Sequence, residues 1–484
     1  MIPILNNNSR KFTTRDNLGI TGATTSLQAE LCPVINTVTP RAFYWPFMVW
    51  NYYEYHLYAA PGEKNVNDFN ANFLKRNDYF FVLGNLLSKQ PDKSNLVGKD
   101  KTSDDIRYNK ESYNYNRDYF VARYGGMQYY NAGCDTLYCI TSEDNDNNRY
   151  SFPKVTKPMG EDMALAFIEA VKDTEYYKSY RRYGDSVPTS VLIEWGNRVN
   201  LSMNHLEDCK KLLKDYLFTP TSNPRLHNER LIESAELLRF VHGIIKNPSI
   251  DQMRNLLYED FYLMGKNNQI PSDIKEIAVL WEAVVARQYM AFALEMIWKR
   301  LLRTLVDPIT VDEWIKAAFK QSAFKNVNRK SLVRDDINKY SLTSVEIERL
   351  LNQGRSSSSG FDSLLENAVK VLLSIYNRYK ERDDIGKEWL SYGEDVSITT
   401  LIEKVDEFKQ DTIESLLIYL MKEWILKRHL EVAQNKMYYG RDGFYYYMYG
   451  DLCYIKRNDA TPDFPGLRLM QLMQVMRDLD MLYE

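Results

Sequence analysis

The sequence predicts a mainly α-helical protein: a multi-helical array with a small β element near residues 117–155 and a C-terminal helix–β-hairpin–helix unit of winged-helix-like type. Apolar residues recur at helical spacing over most of 161–439, which is the first indication. Capping residues and Pro or Gly breaks repeatedly delimit these segments, which is the second. β-prone stretches are short and confined to 137–140 and the tyrosine-rich 444–455, which is the third.

Composition is that of a globular chain able to bury a large core. The 484 residues are 44% hydrophobic and 26% charged, which bounds the chain to one to three domains. We expect an aromatic-rich N-terminal region (1–155), a central helical domain (156–355) and a C-terminal helical domain with a β-hairpin (356–484).

The densest apolar and aromatic block is 16–58. A short helix is predicted within 18–32, with Asp16 or Asn17 as its cap. A second helix is predicted over 41–58, and its apolar residues lie on all sides, which is typical of a buried helix. We therefore expect Trp45 and Trp50 to be core residues and Arg41 to be paired with a carboxylate. The alternative is an aromatic platform for a nucleotide or base.

The middle of the chain is predicted to be a succession of amphipathic helices. No repeat period is present, so a solenoid is not expected. The predicted helices cover 161–173, 187–200, 205–217, 228–246, 250–264, 272–305, 311–319, 343–353, 361–381 and 398–439.

The C-terminal region has a different character. Residues 440–457 predict a β-hairpin that turns at Gly450-Asp451, and 467–483 predict a final helix. Basic and acidic residues are equal in number over 421–484. That balance favours a structural or partner-docking wing over a free-standing DNA-binding unit.

Charge and cysteine usage indicate a cytoplasmic protein. The net charge of −3 excludes a global basic field, so any nucleic-acid contact must be local. The five cysteines are scattered without zinc spacing, which predicts reduced thiols. The N-terminus lacks a signal-peptide pattern. The apolar segment 274–306 carries too many charges to span a bilayer, so no membrane association is expected.

The strongest candidate for a nucleic-acid contact is the segment 316–334, which we call the basic segment. It holds six basic residues and no acid, with Phe319 and Phe324 between them. Positive side chains on one element are what a phosphate backbone requires. The alternative is a solvated helix end and loop. The six candidate residues are Lys316, Lys320, Lys325, Arg329, Lys330 and Arg334.

Two weaker candidates lie earlier in the chain. Lys178, Arg181 and Arg182 lie among tyrosines and resemble a stacking-and-phosphate surface. His205 and Cys209, within HLEDC, are groups of nucleophilic chemistry, but no third, orienting group accompanies them, so an ordinary helix is the favoured interpretation.

Other fragments lack the spacing of a catalytic or ligand motif. Asp135 before LYCI is the nearest fragment to a nuclease site, but no Glu-x-Lys follows it. SNLVGK lacks the Gly and Lys-Ser/Thr of a phosphate loop. The acidic turn 142–149 lacks EF-hand spacing, and 354–360 is either a linker or a surface loop. No catalytic residue, metal site or cofactor is predicted.

A set of short motifs lies at the two ends of the chain: Leu18-Gly19-Ile20, Cys32-Pro33, Thr39-Pro40-Arg41-Ala42, Trp45-Pro46-Phe47-Met48-Val49-Trp50, Leu74-Lys75-Arg76, Asp78-Tyr79-Phe80-Phe81, Gly125-Gly126-Met127-Gln128-Tyr129-Tyr130, His429-Leu430, Val432-Ala433, Lys436, Gly440-Arg441-Asp442, Phe444, Arg468-Leu469 and Met476-Arg477-Asp478-Leu479. In these residues the chain resembles a group of uncharacterised bacterial proteins encoded among restriction and anti-phage defence genes. The resemblance covers about the first 135 and the last 60 residues. It implies a cytosolic accessory subunit of a multi-gene defence system and carries no assigned activity.

These observations predict a non-enzymatic accessory or scaffold subunit of a bacterial anti-phage defence complex. Its expected partners are protein subunits of the same operon, of ATPase, helicase or nuclease type, with DNA as an additional candidate. The alternative is a nuclease or other toxic effector whose site is assembled from residues distant in sequence. A stand-alone DNA-binding regulator is disfavoured by the balanced charge of the C-terminal unit.

Overall fold

The computed structural model describes residues 16–59, 69–89, 92–107, 110–119, 129–141, 153–220, 226–267, 269–320, 322, 324–355, 361–382, 384–392, 395–462 and 464–482. The acidic turn 142–149 and most of the candidate linker 354–360 lie outside these residues. The described chain is mainly helical with small sheets, which confirms the predicted fold class.

Helices dominate the first half of the chain. They are α1 (Thr21–Leu31), α2 (Tyr44–Tyr58), α3 (Lys75–Leu87), α4 (Lys99–Thr102), α5 (Asn131–Thr136), α6 (Met159–Val171), α7 (Thr189–Arg198), α8 (Glu207–Phe218) and α9 (Glu229–Ile244). Wider π-helical turns occur at Phe69–Leu74 and Tyr176–Tyr180, and a 3₁₀ turn at Asp105–Arg107.

The second half continues with α10 (Ile250–Asn255), α11 (Phe261–Lys266), α12 (Ser272–Thr304), α13 (Val311–Lys320), α14 (Val333–Asp336), α15 (Ser344–Arg355), α16 (Leu364–Tyr379), α17 (Lys387–Leu390), α18 (Ile398–Glu407), α19 (Ile413–Tyr419), α20 (Arg428–Tyr438) and α21 (Arg468–Asp478). π-helical turns lie at Leu256–Asp260 and Leu420–Lys427, and 3₁₀ turns at Ile337–Lys339, Phe361–Ser363 and Phe408–Gln410.

Within the described ranges the strands form three small antiparallel sheets. β1 (Ser112–Asn114) pairs with β4 (Ser186–Pro188), and β2 (Ile140–Thr141) pairs with β3 (Lys154–Val155). The third sheet has the order β5 (Ile309–Thr310), β7 (Leu452–Ile455), β6 (Tyr446–Tyr449). The predicted β element near 117–155 and the predicted hairpin are therefore present, and β5 adds a strand that the sequence did not indicate.

The chain separates into two compact units that are not continuous in sequence. One contains Met1–Gln28 and Pro248–Gly466, and the other contains Ala29–Asn247 and Leu467–Glu484. This division differs from the three consecutive regions expected from the sequence. Each unit includes a segment from one end of the chain, and such long-range packing leaves no local signal. The final helix α21 accordingly belongs to the second unit, whereas the hairpin belongs to the first.

The first unit is built on α12, which packs along α16. By length and composition α12 could cross a membrane, but 94% of its most apolar window is buried inside the protein. The predicted continuous helix over 398–439 is wrong. It breaks at Phe408–Gln410, and Thr412 caps the next helix by accepting a hydrogen bond from the Ser415 N–H at 3.1 Å.

The second unit contains the aromatic block. Trp45 and Trp50 on α2 are 1% and 0% exposed, which confirms that they are core residues. The backbones of α3 and α7 approach each other very closely: a Cβ at Gly196 would lie 2.0 Å from the carbonyl oxygen of Gly84. Glycine at this crossing therefore lets the two backbones touch.

Candidate nucleic-acid interface

The basic segment begins on the exposed face of α13 in the first unit. Trp314 and Phe319 lie on the buried face of this amphipathic helix. Lys316 and Lys320 are both exposed, one turn apart, as the i, i+4 spacing predicted. The remaining four basic residues follow on the loop after α13 and on α14.

A buried carboxylate holds the start of the loop. Glu366 on α16 accepts backbone hydrogen bonds from Lys325 at 2.7 Å and Asn326 at 3.0 Å, and it pairs with Lys370 at 2.7 Å. Burial by itself raises the pKa of Glu366, but the hydrogen bonds from Lys370 and the loop backbone hold that pKa below its usual value. Glu366 therefore stays ionised and fixes this part of the loop.

The end of the loop is joined to the start of α19 by backbone hydrogen bonds. The Val333 N–H donates to Asp411 at 2.8 Å, the Ile413 N–H to Ser331 at 3.1 Å, and the Glu414 N–H to Arg329 at 2.9 Å. The side chain of Val327, at the centre of the loop, is 1% exposed. The loop is thus held in place at both ends by hydrogen bonds, and its charged side chains point outward.

Three of the six basic residues are paired or faced by acids. Arg329 lies 3.6 Å from the Glu414 carboxylate and 5.7 Å from the centre of the Phe319 ring. Arg334 lies 3.7 Å from Asp335 and donates to Gln410. Lys316 faces Asp312 and Glu313 on its own helix.

The other three basic residues are free to meet a ligand. Lys320, Lys325 and Lys330 are exposed, and they form no ion pair with any residue that the structure describes. Of the six predicted contact residues, three are therefore free lysines and three are partly neutralised by neighbouring acids.

The aromatic side chains of the basic segment are not presented for stacking. Phe319 is 4% exposed, and Phe324 is half-buried beside it with ring centres 6.5 Å apart. Residues 324–330 line a shallow concavity of about 450 Å³ whose polar groups are asparagines and cations. This surface can pair with phosphates but offers no exposed aromatic ring to a base.

In the patch of Lys178, Arg181 and Arg182, the two arginines belong to a structural ion-pair cluster, whereas Lys178 is exposed and donates to the backbone carbonyl of Asp173 at 2.7 Å. Arg181 and Arg182 lie 3.2 Å and 3.0 Å from the carboxylate of Glu54, which is 1% exposed. Tyr177 donates a hydrogen bond to the same carboxylate at 2.9 Å. Both arginines are therefore committed to holding α2.

The HLEDC constellation does not form a catalytic pair. His205 lies in the turn before α8, so it does not share a helix face with Cys209. Cys209 is 0% exposed, and burial raises the pKa of its thiol. Asp135 lies on the short helix α5 and not at a strand end.

No metal site is evident in the described ranges. Among those residues, no group of three or more His, Cys, Asp or Glu side chains is arranged to hold an ion. The side chains that organise the basic segment, Glu366 and Glu414, were missed in the sequence. They lie on ordinary amphipathic helices far along the chain, where spacing gives no sign of their partners.

Comparison with known proteins adds no relative. No protein-family model, no curated protein and no solved structure matches this chain.

Proposed function

We propose that this protein is a non-enzymatic subunit of a cytoplasmic bacterial anti-phage defence complex. It binds a protein partner of ATPase, helicase or nuclease type. Within that complex it contacts the phosphate backbone of DNA through the three free lysines of the basic segment. The observation that carries the DNA contact is the hydrogen-bonded loop, which holds Lys325 and Lys330 outward with no acidic partner in the described part of the chain.

The form of the surface favours contact with phosphates over contact with bases. Free lysines release counterions when they meet phosphates, and this term is independent of sequence. Because Phe319 is buried and Phe324 half-buried, the surface lacks the stacking platform on which single strands are usually held. The proposal is therefore a DNA contact without sequence preference.

The multi-subunit setting is supported by the resemblance at the two chain ends. A multi-subunit setting also agrees with the presence of three free lysines in the basic segment of a chain of net charge −3, because three phosphate contacts alone give weak binding. A partner that supplies further DNA contacts would make such a site effective through linkage of the two binding events.

Binding of labelled duplexes tests the proposal. We expect the protein to bind two unrelated 20-base-pair duplexes equally, and the triple change Lys320→Gln, Lys325→Gln, Lys330→Gln to weaken both by about tenfold or more at low salt. Fluorescence anisotropy measures the affinities. The matched control neutralises three exposed lysines of the other unit, Lys99, Lys101 and Lys211, and should leave binding unchanged.

Three outcomes would contradict the proposal. Equal binding by the wild type and the triple variant would reduce the basic segment to a solvated loop. Equal weakening by the control triple would indicate a general charge effect. Cleavage of the duplex in magnesium or manganese that disappears on changing one acidic residue would favour the nuclease or toxic-effector alternative.

A further inference from the structure

Arg287 lies in the middle of α12, in the first unit, and its side chain is fully buried. Its exposed fraction is 0%, and one nitrogen, Nη2, donates a hydrogen bond to the Val396 carbonyl at 3.3 Å. The other two nitrogens, Nε and Nη1, make no hydrogen bond within the described part of the chain. Buried polar side chains nearly always have partners, so these two donors require a physical reason.

Other buried arginines of the chain are paired with acids. Arg41 lies 3.0 Å from Asp478, and Arg378 lies 2.7 Å from Glu282. Arg287 forms no ion pair with any residue that the structure describes. A buried charge without a counter-charge is strongly destabilising. The fold therefore carries a cost at Arg287 that a negatively charged ligand would offset.

A second guanidinium group makes this place more positive. Burial, which is the larger cause, and the positive charge of Arg428 at the start of α20 together lower the pKa of Arg287 to about 10. A guanidinium with that pKa is still charged at neutral pH. Two positive charges thus lie near each other in the first unit, and one of them is fully buried.

Arg428 links Arg287 to the surface of the first unit. Its side chain is 20% exposed, and it donates hydrogen bonds to the carbonyls of Leu18 at 2.7 Å and Gly19 at 3.2 Å. Its Nη1 atom lies 3.4 Å from the carboxylate of Asp395, which is 85% exposed. An ion pair with so exposed an acid is weak and is readily exchanged for another anion.

We propose that the guanidinium groups of Arg287 and Arg428 form a binding site for a small oxyanion. The unpaired N–H groups of Arg287 would donate to it, and the ligand would replace Asp395 at Arg428. Guanidinium groups are the preferred partners of phosphate and carboxylate oxygens. Arg287 and Val396 are 0% and 3% exposed, so a compact anion fits this chemistry and a large one does not.

Binding at this site would be linked to the stability of the first unit. Arg287 is hydrogen-bonded to Val396, and Arg428 holds the segment of Leu18 and Gly19. An anion shared by the two arginines would therefore connect α12, α20 and the N-terminal segment. A ligand that binds only the folded state raises its stability in proportion to its occupancy. This inference is independent of the proposed function, because the basic segment is not part of the site.

The melting temperature of the full chain tests the inference. It would be measured in about 20 mM phosphate, sulfate or acetate and compared with the bulky MOPS anion at equal ionic strength and neutral pH. The wild type should melt at least about 2 °C higher in one or more of the small oxyanions than in MOPS. Phosphate, sulfate and acetate separate a tetrahedral oxyanion from a carboxylate as the favoured ligand.

Arg287→Met removes the buried charge and keeps a long side chain. The variant should lose the response to the oxyanions, and in MOPS it should melt no lower than the wild type, because an apolar side chain replaces an unpaired charge. The matched control is Lys320→Gln, Lys325→Gln, Lys330→Gln, which should keep the full response. Arg287→Met should in turn bind DNA duplexes as the wild type does, so the two sites are tested separately.

Two results would overturn the inference. If no small oxyanion raises the melting temperature of the wild type above its value in MOPS, the donors of Arg287 meet water alone. If Arg287→Met keeps the full response, the anion binds elsewhere. Should that variant fail to fold, Arg428→Gln decides the question, because its partly exposed side chain belongs to the same site. An undiminished response in Arg428→Gln would also contradict the inference.

Discussion

The N-terminal aromatic helix and the C-terminal hairpin are both rich in aromatic residues, but they use them in opposite ways. On α2 the rings are enclosed: Trp50 lies within 6.0 Å of Phe47, Phe167 and Trp195, centre to centre. On the hairpin Tyr449 is 62% exposed. Aromatic content alone therefore does not distinguish a buried core from an exposed surface.

Charge shows the same contrast between the two units. Arg41, in the aromatic block, is buried and forms ion pairs with two carboxylates, Asp478 at 3.0 Å and Asp92 at 2.7 Å. Burial alone would lower the pKa of Arg41, but the two carboxylates raise it above its usual value. The free lysines of the basic segment have no such partners among the residues that the structure describes, so their charge is available to a ligand.

The largest expected effect comes from the enclosed side. Trp50→Ala should lower the free energy of unfolding by roughly 3–5 kcal/mol, because a cavity replaces a fully packed ring. Tyr449→Ala, on the exposed side, should change it by less than about 0.5 kcal/mol. Chemical denaturation measures both. A folded Trp50→Ala protein with an unchanged melting temperature and lost binding would show that α2 is a ligand platform.

The next effect is a pH dependence at the base of the hairpin. His429 is 0% exposed, lies 3.1 Å from the Asn17 carbonyl and accepts the Tyr445 N–H at 3.1 Å. Burial lowers its pKa to about 4. His429 therefore binds a proton near pH 6.5 in the unfolded chain but only near pH 4 in the folded protein.

The contribution of neutral His429 to the free energy of unfolding is fully present above pH 6.5. It is lost as the pH falls toward 4, by up to roughly 3 kcal/mol. Denaturation at pH 7, 5.5 and 4.5 measures this loss. His429→Asn lowers stability at every pH, but it should flatten the slope in this window. An equally steep slope in that variant would assign the effect to other groups.

Local features of this fold could be predicted from the sequence. Asp16 accepts the N–H groups of Thr21 and Gly22 at 3.1 and 2.8 Å, so the predicted cap of α1 is present. The hairpin turn lies at Gly450-Asp451, as the sequence indicated. Caps, turns and helical faces are set by residues a few positions apart, which is why sequence spacing reveals them.

Long-range pairing could not be predicted. A carboxylate partner for Arg41 was expected, but Asp478 lies 437 residues along the chain. The same limit applied to the basic segment, in which six basic residues lie between positions 316 and 334. Glu414, which partly neutralises Arg329, and Glu366, which fixes the loop, lie on other helices. The number of basic residues in the segment is therefore larger than the number that is free to bind a ligand.

The salt dependence of DNA binding tests the central claim most directly. Each phosphate contact adds about 0.9 to the slope of log affinity against log salt for duplex DNA. The variant Lys320→Gln, Lys325→Gln, Lys330→Gln should therefore lower that slope by roughly 2 to 3, equally for unrelated sequences. Arg329→Gln with Arg334→Gln should lower it by less than about 1.8, because acids already face both arginines. A slope unchanged by the lysine variant, for the protein alone and with its partners, would contradict the account.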